Sequence, residues 1–463
     1  MDIALFWSLF VILAITYFAI AMGASRNLDS DDDFFYGQRS FGLMAMTLSL
    51  AAIQIGGGVV LATGDQAYRF GFYGIAYSLG ICAGFLVLAL GFAYKLKRLN
   101  MKTVVEIFTI KYRSLMLRRL ASFLSILTLG GILVSQIIAS RKLVDAVAGK
   151  YHWILVVFWL FVIVYTMFGG LRAVVATQIF QIVLVLVVFL GMLAIYVWKR
   201  PLSFDLFHEP FKHFTSSSTF EDVSFRHLWA LFLLPLFYAL LSQDLGQRFF
   251  SSKTPVTASL AALFAGVLVL GFSVIPVMLG MEARHLGIEV ELGHSAILTL
   301  LKQRLEPFFY YLVICAIIAA ISSTADAVLC AIGSNVVEDF LLASTDGPID
   351  QHLSVLISRV VTLLIGLVAL LIAYQFNDVL GMLSFSYELS VSCLLVPIVI
   401  GLFAKRPKLE AGAAAMIAGL IGFFCFRLYP LPLVPAELLS VILSLVGFLI
   451  GHFYRALQHQ GNS

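Results

Sequence analysis

The sequence predicts an all-α polytopic membrane protein of about thirteen transmembrane helices, organised around two matched five-helix blocks. Three observations carry this reading. Hydrophobic residues make up 61% of the 463 and charged residues only 12%, a balance that excludes an ordinary soluble domain. Apolar runs of about 20 residues, long enough to cross a bilayer, recur from end to end instead of forming a single anchor. Two of those runs are interrupted at corresponding places, one by Gly56-Gly57-Gly58 and the other by Pro235.

Taken in order, the spans fall near residues 3–23, 41–64, 73–95, 119–140, 152–169, 173–198, 226–247, 256–281, 308–336, 354–375, 380–403, 409–427 and 436–456. The first lacks a basic leader and a small-residue cleavage site, so it reads as a membrane helix and not as a removed signal peptide. Residues 1–40 then form an extra helix and a cytoplasmic loop. A core follows over 41–404, in repeats of about 41–198 and 226–404, and residues 405–463 supply two further helices and a short tail. In the second span three consecutive glycines favour unwinding. In the seventh, Pro235 removes one N–H and its ring collides with the preceding turn. Each interrupted span opens a block of five, the pattern of an inverted-repeat carrier, in which half-helix ends and freed carbonyls meet near the midplane to hold a solute and an ion.

Lysine and arginine set the orientation. With the N-terminus outside, 18 of the 30 basic residues fall inside: Arg26, Arg39, the dense group from Lys95 to Arg119, Arg172, Arg248, Lys253, Arg359, Lys405, Arg406, Lys408 and Arg455. The expected location is a plasma membrane, of the bacterial inner-membrane kind, with the C-terminus cytoplasmic. The formal charge of +4 fits this bias, and no basic, aromatic-interleaved patch stands outside the membrane loops, so a nucleic-acid partner is not expected. Cys82, Cys315, Cys330, Cys393 and Cys425 lie inside predicted spans without paired spacing, which indicates neither a disulfide framework nor a zinc site. Histidines such as His152, His208, His213 and His285 sit at or beyond span ends; no buried His–carboxylate pair for hydrolysis remains, and an enzyme is not expected.

The costliest residues lie in the ninth span, where Ser322-Ser323-Thr324-Ala325-Asp326 interrupts an apolar stretch from about 308 to 337. A carboxylate near the middle of a membrane helix costs about 2.5 to 3.5 kcal/mol on insertion scales, so it faces a cavity or a partner and marks a functional site by default. Hydroxyls three and four residues after a freed carbonyl share its helix face and offer neutral oxygens to a hard cation. The same hydroxyls can instead bond the carbonyl one turn earlier, or join helices.

Four stretches stand in a definite order along the chain: Thr103-Val104-Val105-Glu106 through Tyr112-Arg113-Ser114; Gly169-Gly170-Leu171-Arg172-Ala173-Val174 through Thr177 and Gln181; Asp244 with Gln247-Arg248 and Ser251-Ser252-Lys253; and Ser323-Thr324-Ala325-Asp326 leading to Glu338-Asp339. On these residues the chain resembles the sodium:solute symporter family, which includes sodium/proline, sodium/glucose and choline transporters. The resemblance runs from the second span to the twelfth. It implies a LeuT-like core of ten helices, counted from the second span, and a sodium-coupled symporter that imports a small organic solute by alternating access. Sodium is then a coupling ion and not a tightly held cofactor. Its implied ligands are the backbone carbonyls of Ala52, Ile55 and Ala320 with the hydroxyls of Ser323 and Thr324; Ser322 with Ser323 is the alternative hydroxyl pair. Flanking the breaks, Gln54, Gly57 and Gly58 on one helix and Pro235, Phe237 and Tyr238 on the other are the expected solute-binding positions.

The sequence also departs from the family. Gln178 stands where many members carry an Asp, and Gln54 where sodium/proline members tend to. A Gln can coordinate but supplies no counter-charge, which weakens the case for a second sodium site. Negative charge appears instead at Asp326, a position shared with choline-transporter-like members, and at Glu388 in the tenth core helix. Either can offset a cation, accept a coupling proton or bond a neighbouring helix. Two other readings stay open: a proton-coupled symporter with Asp326 or Glu388 as carrier, and a membrane sensor that binds solute without moving it. The first broken helix has no Trp, so an aromatic cage for a quaternary ammonium group is not expected there. Asp65 and Arg69 near one face, and Asp244, Gln247 and Arg248 near the other, read as solvated charges or as gate pairs. The bilayer, sodium and a small organic solute are the expected partners; the sequence specifies neither the solute, the stoichiometry nor an oligomeric state.

Overall fold

The computed structural model describes residues 3–24, 37–148, 153–199, 225–290, 293–344, 351–429 and 434–460. Arg26, His152, His208 and His213, with most of the connection between the sixth and seventh spans, lie outside the described residues. In chain order the helices are α1 (Ile3–Ala24), α2 (Leu43–Gln54), α3 (Thr63–Phe70), α4 (Ala76–Val87), α5 (Ala93–Arg98), α6 (Leu115–Ala148), α7 (Trp153–Lys199), α8 (Phe225–Ala239), α9 (Gln243–Ser251), α10 (Pro255–His285), α11 (Ala296–Arg304), α12 (Pro307–Asn335), α13 (Gln351–Ala373), α14 (Val379–Phe403), α15 (Leu409–Leu428) and α16 (Ala436–Gln460). Short π-helical stretches precede α3 (Gly58–Ala62), join α4 to α5 (Leu88–Phe92) and extend α12 (Val336–Leu341). No strand occurs among the described residues.

Eleven segments among the described residues are long and apolar enough to cross a membrane, and two shorter apolar helices, Leu43–Gln54 and Trp153–Met167, accompany them. The number differs from the expected thirteen because breaks and joins do not follow hydropathy. The 58–98 segment runs through the end of the second expected span and all of the third. Within α7, Gly170 takes φ 58° and ψ −175° and turns the chain between the fifth and sixth spans, a conformation that only a residue without a Cβ adopts at little cost. The short helix α11, between the eighth and ninth spans, was not foreseen.

Burial sorts the helices into a centre and a rim. In α12, 94% of the most apolar stretch is buried, against 22% in α1 and 28% in α13 and α16. The rim helices expose large apolar side chains such as Ile12, Ile15, Leu371 and Ile450, which suit a hydrocarbon solvent and would not suit water. The polar cluster of the ninth span therefore sits on the most enclosed of the candidate membrane spans among the described residues.

The first predicted interruption stands where the glycines are, but the second is displaced. α8 continues through Pro235 to Ala239, and the chain leaves the helix only at residues 240–242. Ser242 is extended (φ −62°, ψ 121°), and its side chain caps α9 by accepting from Leu245 N. Pro235 removes one helical hydrogen bond, yet the close packing of α8 on α4 holds the helix together: a Cβ on Gly80 would stand 2.2 Å from Phe232 O and 2.7 Å from Pro235 Cγ. Gly80→Val is therefore expected to lower the thermal unfolding midpoint of the purified protein, through overpacking of about 1–3 kcal/mol. At Gly130, where an added Cβ meets nothing within 4 Å, Ala should leave the midpoint unchanged or raise it.

Candidate functional site

The break between α2 and α3 is built by its neighbours as much as by its own glycines. Ile55 leaves the helix at φ −82° and ψ 67°. The Gly57 N–H, which an unbroken helix would give to Ile53 O, donates instead to Gln136 Oε1 of α6 at 2.8 Å. A Cβ on Gly56 would come within 2.3 Å of Thr324 Oγ1, and one on Gly57 within 2.4 Å of Ala139 Cβ, so only glycine lets the broken segment lie against α12 and α6.

Opposite the break, α12 presents the two hydroxyls. Ser323 Oγ donates to Ala52 O and to Ala320 O, both at 2.8 Å. Thr324 Oγ1 donates to Ile53 O at 2.8 Å and lies 3.4 Å from Ala320 O. Four of the expected ion ligands, Ala52, Ala320, Ser323 and Thr324, thus come together, and the fifth oxygen beside them belongs to Ile53. Ile55 was the expected carbonyl. Its N–H still bonds Ala51 O at 2.9 Å, and the oxygen left for Thr324 is that of Ile53, whose helical donor Gln136 has drawn away. Five neutral oxygens on two helices are the donor type a hard, singly charged cation takes. Ser322 points elsewhere: its hydroxyl bonds Ala319 O at 3.1 Å and accepts from Gln181 Nε2 at 3.1 Å.

The charged and amide groups form a second layer behind these oxygens. Asp326, fully buried, accepts from Tyr165 OH, from Thr166 Oγ1 at 3.0 Å and from Gln181 Nε2 at 3.4 Å, so its carboxylate is turned to α7. Gln178 Nε2 donates to Ser323 O at 2.8 Å, while its Oε1 accepts from Ser49 Oγ at 2.6 Å and from Arg248 Nη2 at 3.3 Å. Asp244, Gln247 and Arg248, which read as solvated charges or a gate, are instead buried. The solvated reading fails because the polar side chains of this segment meet other polar side chains and not water. Glu388 bonds Arg427 Nη1 of α15 at 2.8 Å, and that guanidinium lies over the Phe385 ring at 4.6 Å; the pair fastens α15 to α14.

Of the expected solute positions on α8, Tyr238 is connected to the break through two other tyrosines. Its ring stacks on Tyr387 with centroids 4.3 Å apart, Tyr387 OH lies 3.2 Å from Tyr77 OH, and Tyr77 OH lies 3.2 Å from where a Cβ on Gly58 would be. Gln54 and Phe237 are half-buried. Pro235 faces Gly80 and not this cluster. Sequence reasoning missed Gln136, Tyr77 and Tyr387; a lone amide in an apolar helix was the available signal for the first, and tyrosines give none.

Two polar assemblies lie at opposite ends of the bundle. At one end a cavity of about 350 Å³ is lined by residues including Ala62, Asp65, Gln66, Lys142, His294 and Leu380. There Asp65 accepts from Lys142 Nζ (3.2 Å), Ser295 Oγ (2.9 Å) and Ala296 N (2.9 Å); its partner is Lys142 and not Arg69. At the other end Asp339 accepts from Arg118 Nε (2.7 Å), Thr103 Oγ1 (2.7 Å) and Ser122 Oγ (2.8 Å), and Glu338 pairs with Lys102 at 3.1 Å. The same loop gives Val104 N to Gln243 Oε1 of α9 at 2.8 Å. Tyr112, just outside the spans, donates to Pro397 O at 2.6 Å; burial pushes its phenol up, so it stays the donor.

The model of the sodium:solute symporter family matches residues 34–422. The sodium/pantothenate symporter of Escherichia coli (strain K12) is 24% identical over 474 residues, covering 95% of this chain and 94% of its own. The sodium/proline symporter of Staphylococcus aureus is 25% identical over 90% of this chain and 83% of its own. Among solved structures, a substrate-bound, outward-open Na+-coupled sialic acid symporter superposes with a TM-score of 0.80 at 17% identity, covering 96% of this chain and 97% of that one. Mhp1, a nucleobase-cation-symport-1 family transporter, gives 0.58 at 14% identity over 91% and 94%.

The network at the Lys102 end predicts unequal costs. Arg118→Leu leaves the buried Asp339 carboxylate without its cation and should destabilise the protein by about 3 kcal/mol or more in thermal or denaturant unfolding. Lys102→Ala removes a half-exposed partner and should cost less than about 1 kcal/mol.

Proposed function

The chain belongs to the sodium:solute symporter family, and from that premise we propose that it imports a small organic solute together with sodium, across a plasma membrane, by alternating access. The family is one of transporters and not of enzymes, its fold is LeuT-like, and sodium is the coupling ion. The observation that carries the proposal is the meeting of Ser323 and Thr324 with the carbonyls of Ala52, Ile53 and Ala320 across the broken helix. Sodium among these oxygens would tie α2 to α12 and favour the arrangement in which the solute position beside Gly57 and Gly58 is formed. Solute bound between that break and the Tyr77, Tyr238 and Tyr387 cluster would in turn favour sodium by the same free energy.

The two ends of the bundle fit alternating access within a core of about 41–404. With the N-terminus outside, the cavity beside Asp65 opens outward, and the Arg118–Asp339 network closes the cytoplasmic side. Opening that side requires the loop carrying Thr103 and Val104 to part from α12 or from α9. Asp326 is bonded by hydroxyls and an amide and one Glu388 oxygen by Arg427; membership of a sodium-coupled family is what favours sodium over a proton carried on either.

The test is uptake into proteoliposomes, beginning with pantothenate and proline, under an imposed sodium gradient or an imposed proton gradient. Uptake should follow sodium and not protons. Thr324→Ala and Ser323→Ala should each raise the half-saturating sodium concentration by roughly 10- to 100-fold, the cost of about 1.5–3 kcal/mol for one ligand to a charge. Unchanged sodium dependence in both variants removes the proposed site.

A further inference from the structure

Arg248 is an arginine with no exposed surface, at the centre of a membrane protein. Its hydrogen-bond partners are all neutral: Gln247 Oε1 at 3.1 Å, Asp244 O at 3.2 Å, Gln178 Oε1 at 3.3 Å and Ser49 Oγ at 3.5 Å. A buried guanidinium with only neutral acceptors is costly unless a carboxylate lies within reach. Gln178, which accepts from Arg248 Nη2, stands three residues before Gln181, which donates to Asp326, so one face of α7 links Arg248 to that carboxyl group, while Asp244 lies one helical turn before Arg248 on α9. The Asp244 carboxylate is bonded to the Ser242 hydroxyl in the first turn of α9, where the helix N-terminus already favours a negative charge. Asp326 has no such compensation; its bonds come from two hydroxyls and an amide on α7.

Two of the partners of Arg248 adjoin the ion site. Ser49 lies three residues before Ala52 on α2, and Gln178 holds Ser323 O at 2.8 Å. A guanidinium on α9 and a carboxyl group on α12 therefore stand behind the same five oxygens. A lone Asp326 there would strengthen cation binding and favour a second cation; a lone Arg248 would oppose any.

We propose that Arg248 and Asp326 form a self-neutralising pair behind the sodium site, so that a single sodium binds weakly enough to be released. Arg248 is a positioning residue: it touches neither the oxygens nor the solute position, and acts through its charge and through Gln178 and Ser49. The inference rests on the sodium site proposed above, and its test separates the two.

The test measures the half-saturating sodium concentration for thermal stabilisation of the purified full chain, with potassium replacing sodium at constant ionic strength. Arg248→Gln should lower that concentration by roughly tenfold and Asp326→Asn should raise it by roughly tenfold, as expected for one buried charge at an intermediate effective dielectric. The double variant should return to within about threefold of the parent, because the two shifts cancel, and Arg248→Lys, which keeps the charge, should stay within about threefold as well. If both single variants weaken sodium binding and the double variant is no better than either, the pair is refuted. If Arg248→Gln does not fold, adding Asp326→Asn should restore folding, and a double variant as unstable as the single refutes the proposal too. Should Thr324→Ala leave the sodium response unchanged in the same assay, the failure belongs to the sodium site and not to the pair.

Discussion

A backbone carbonyl inside a bilayer has no water to bond, so a membrane helix can be interrupted only where neighbouring groups take over. The interruption after Gln54 meets this condition through three residues on two helices: Gln136 takes the Gly57 N–H, while Ser323 and Thr324 take Ala52 O and Ile53 O. Much of the central structure depends on that exchange. It fixes Gly56 and Gly57 as glycines, because the partners must come closer than a Cβ allows. It also leaves hydroxyl and carbonyl oxygens facing one another, each already polarised, which is how a site for a small cation is made from uncharged groups.

The same reasoning explains why α12 is the most buried of the candidate membrane spans among the described residues. It carries Ser322, Ser323, Thr324, Asp326 and Asn335, and each needs a partner, so α12 is enclosed by α2, α6 and α7 and continues into a Glu338-Asp339 segment bonded to Lys102, Thr103, Arg118 and Ser122. Such a helix is a poor candidate for large movement. The half-helices α2, α3, α8 and α9, which end in the core and are joined through short unwound segments, are better ones. Chain segments before α2 and after α9 are themselves paired, Phe41 N to Ser251 O at 3.2 Å and Lys253 N to Phe41 O at 3.0 Å, so the lower ends of the two broken helices move together or not at all.

Much of this was legible in the sequence because hydropathy and glycine act locally. The membrane class, the helical spans, the break at Gly56-Gly57-Gly58 and the family resemblance rest on signals carried by adjacent residues. What escaped was set by packing across the bundle. Pro235 looked like the second break, but its helix is held by Gly80 and the chain parts instead at residues 240–242, where Ser242 caps the next helix. Ile55 was chosen by motif spacing, whereas the carbonyl that meets the Thr324 hydroxyl is that of Ile53, freed because Gln136, 79 residues from Gly57 in sequence, takes the Gly57 N–H. Arg248 read as solvated or as part of a gate because it falls near the predicted end of a span; only the fold reveals that it is covered. Glu388 stood out as a negative charge in the tenth core helix, and its partner Arg427 comes from a helix outside the ten-helix core.

The account turns on whether sodium lies among the oxygens of Ala52, Ile53, Ala320, Ser323 and Thr324. A high-resolution experimental structure solved in sodium, beside one solved with sodium replaced by choline, tests this most directly. The account predicts compact density among those oxygens in sodium only, with both hydroxyl oxygens turned toward it and away from the carbonyls they now meet. Density for the ion elsewhere, or a centre identical in the two conditions, would contradict it.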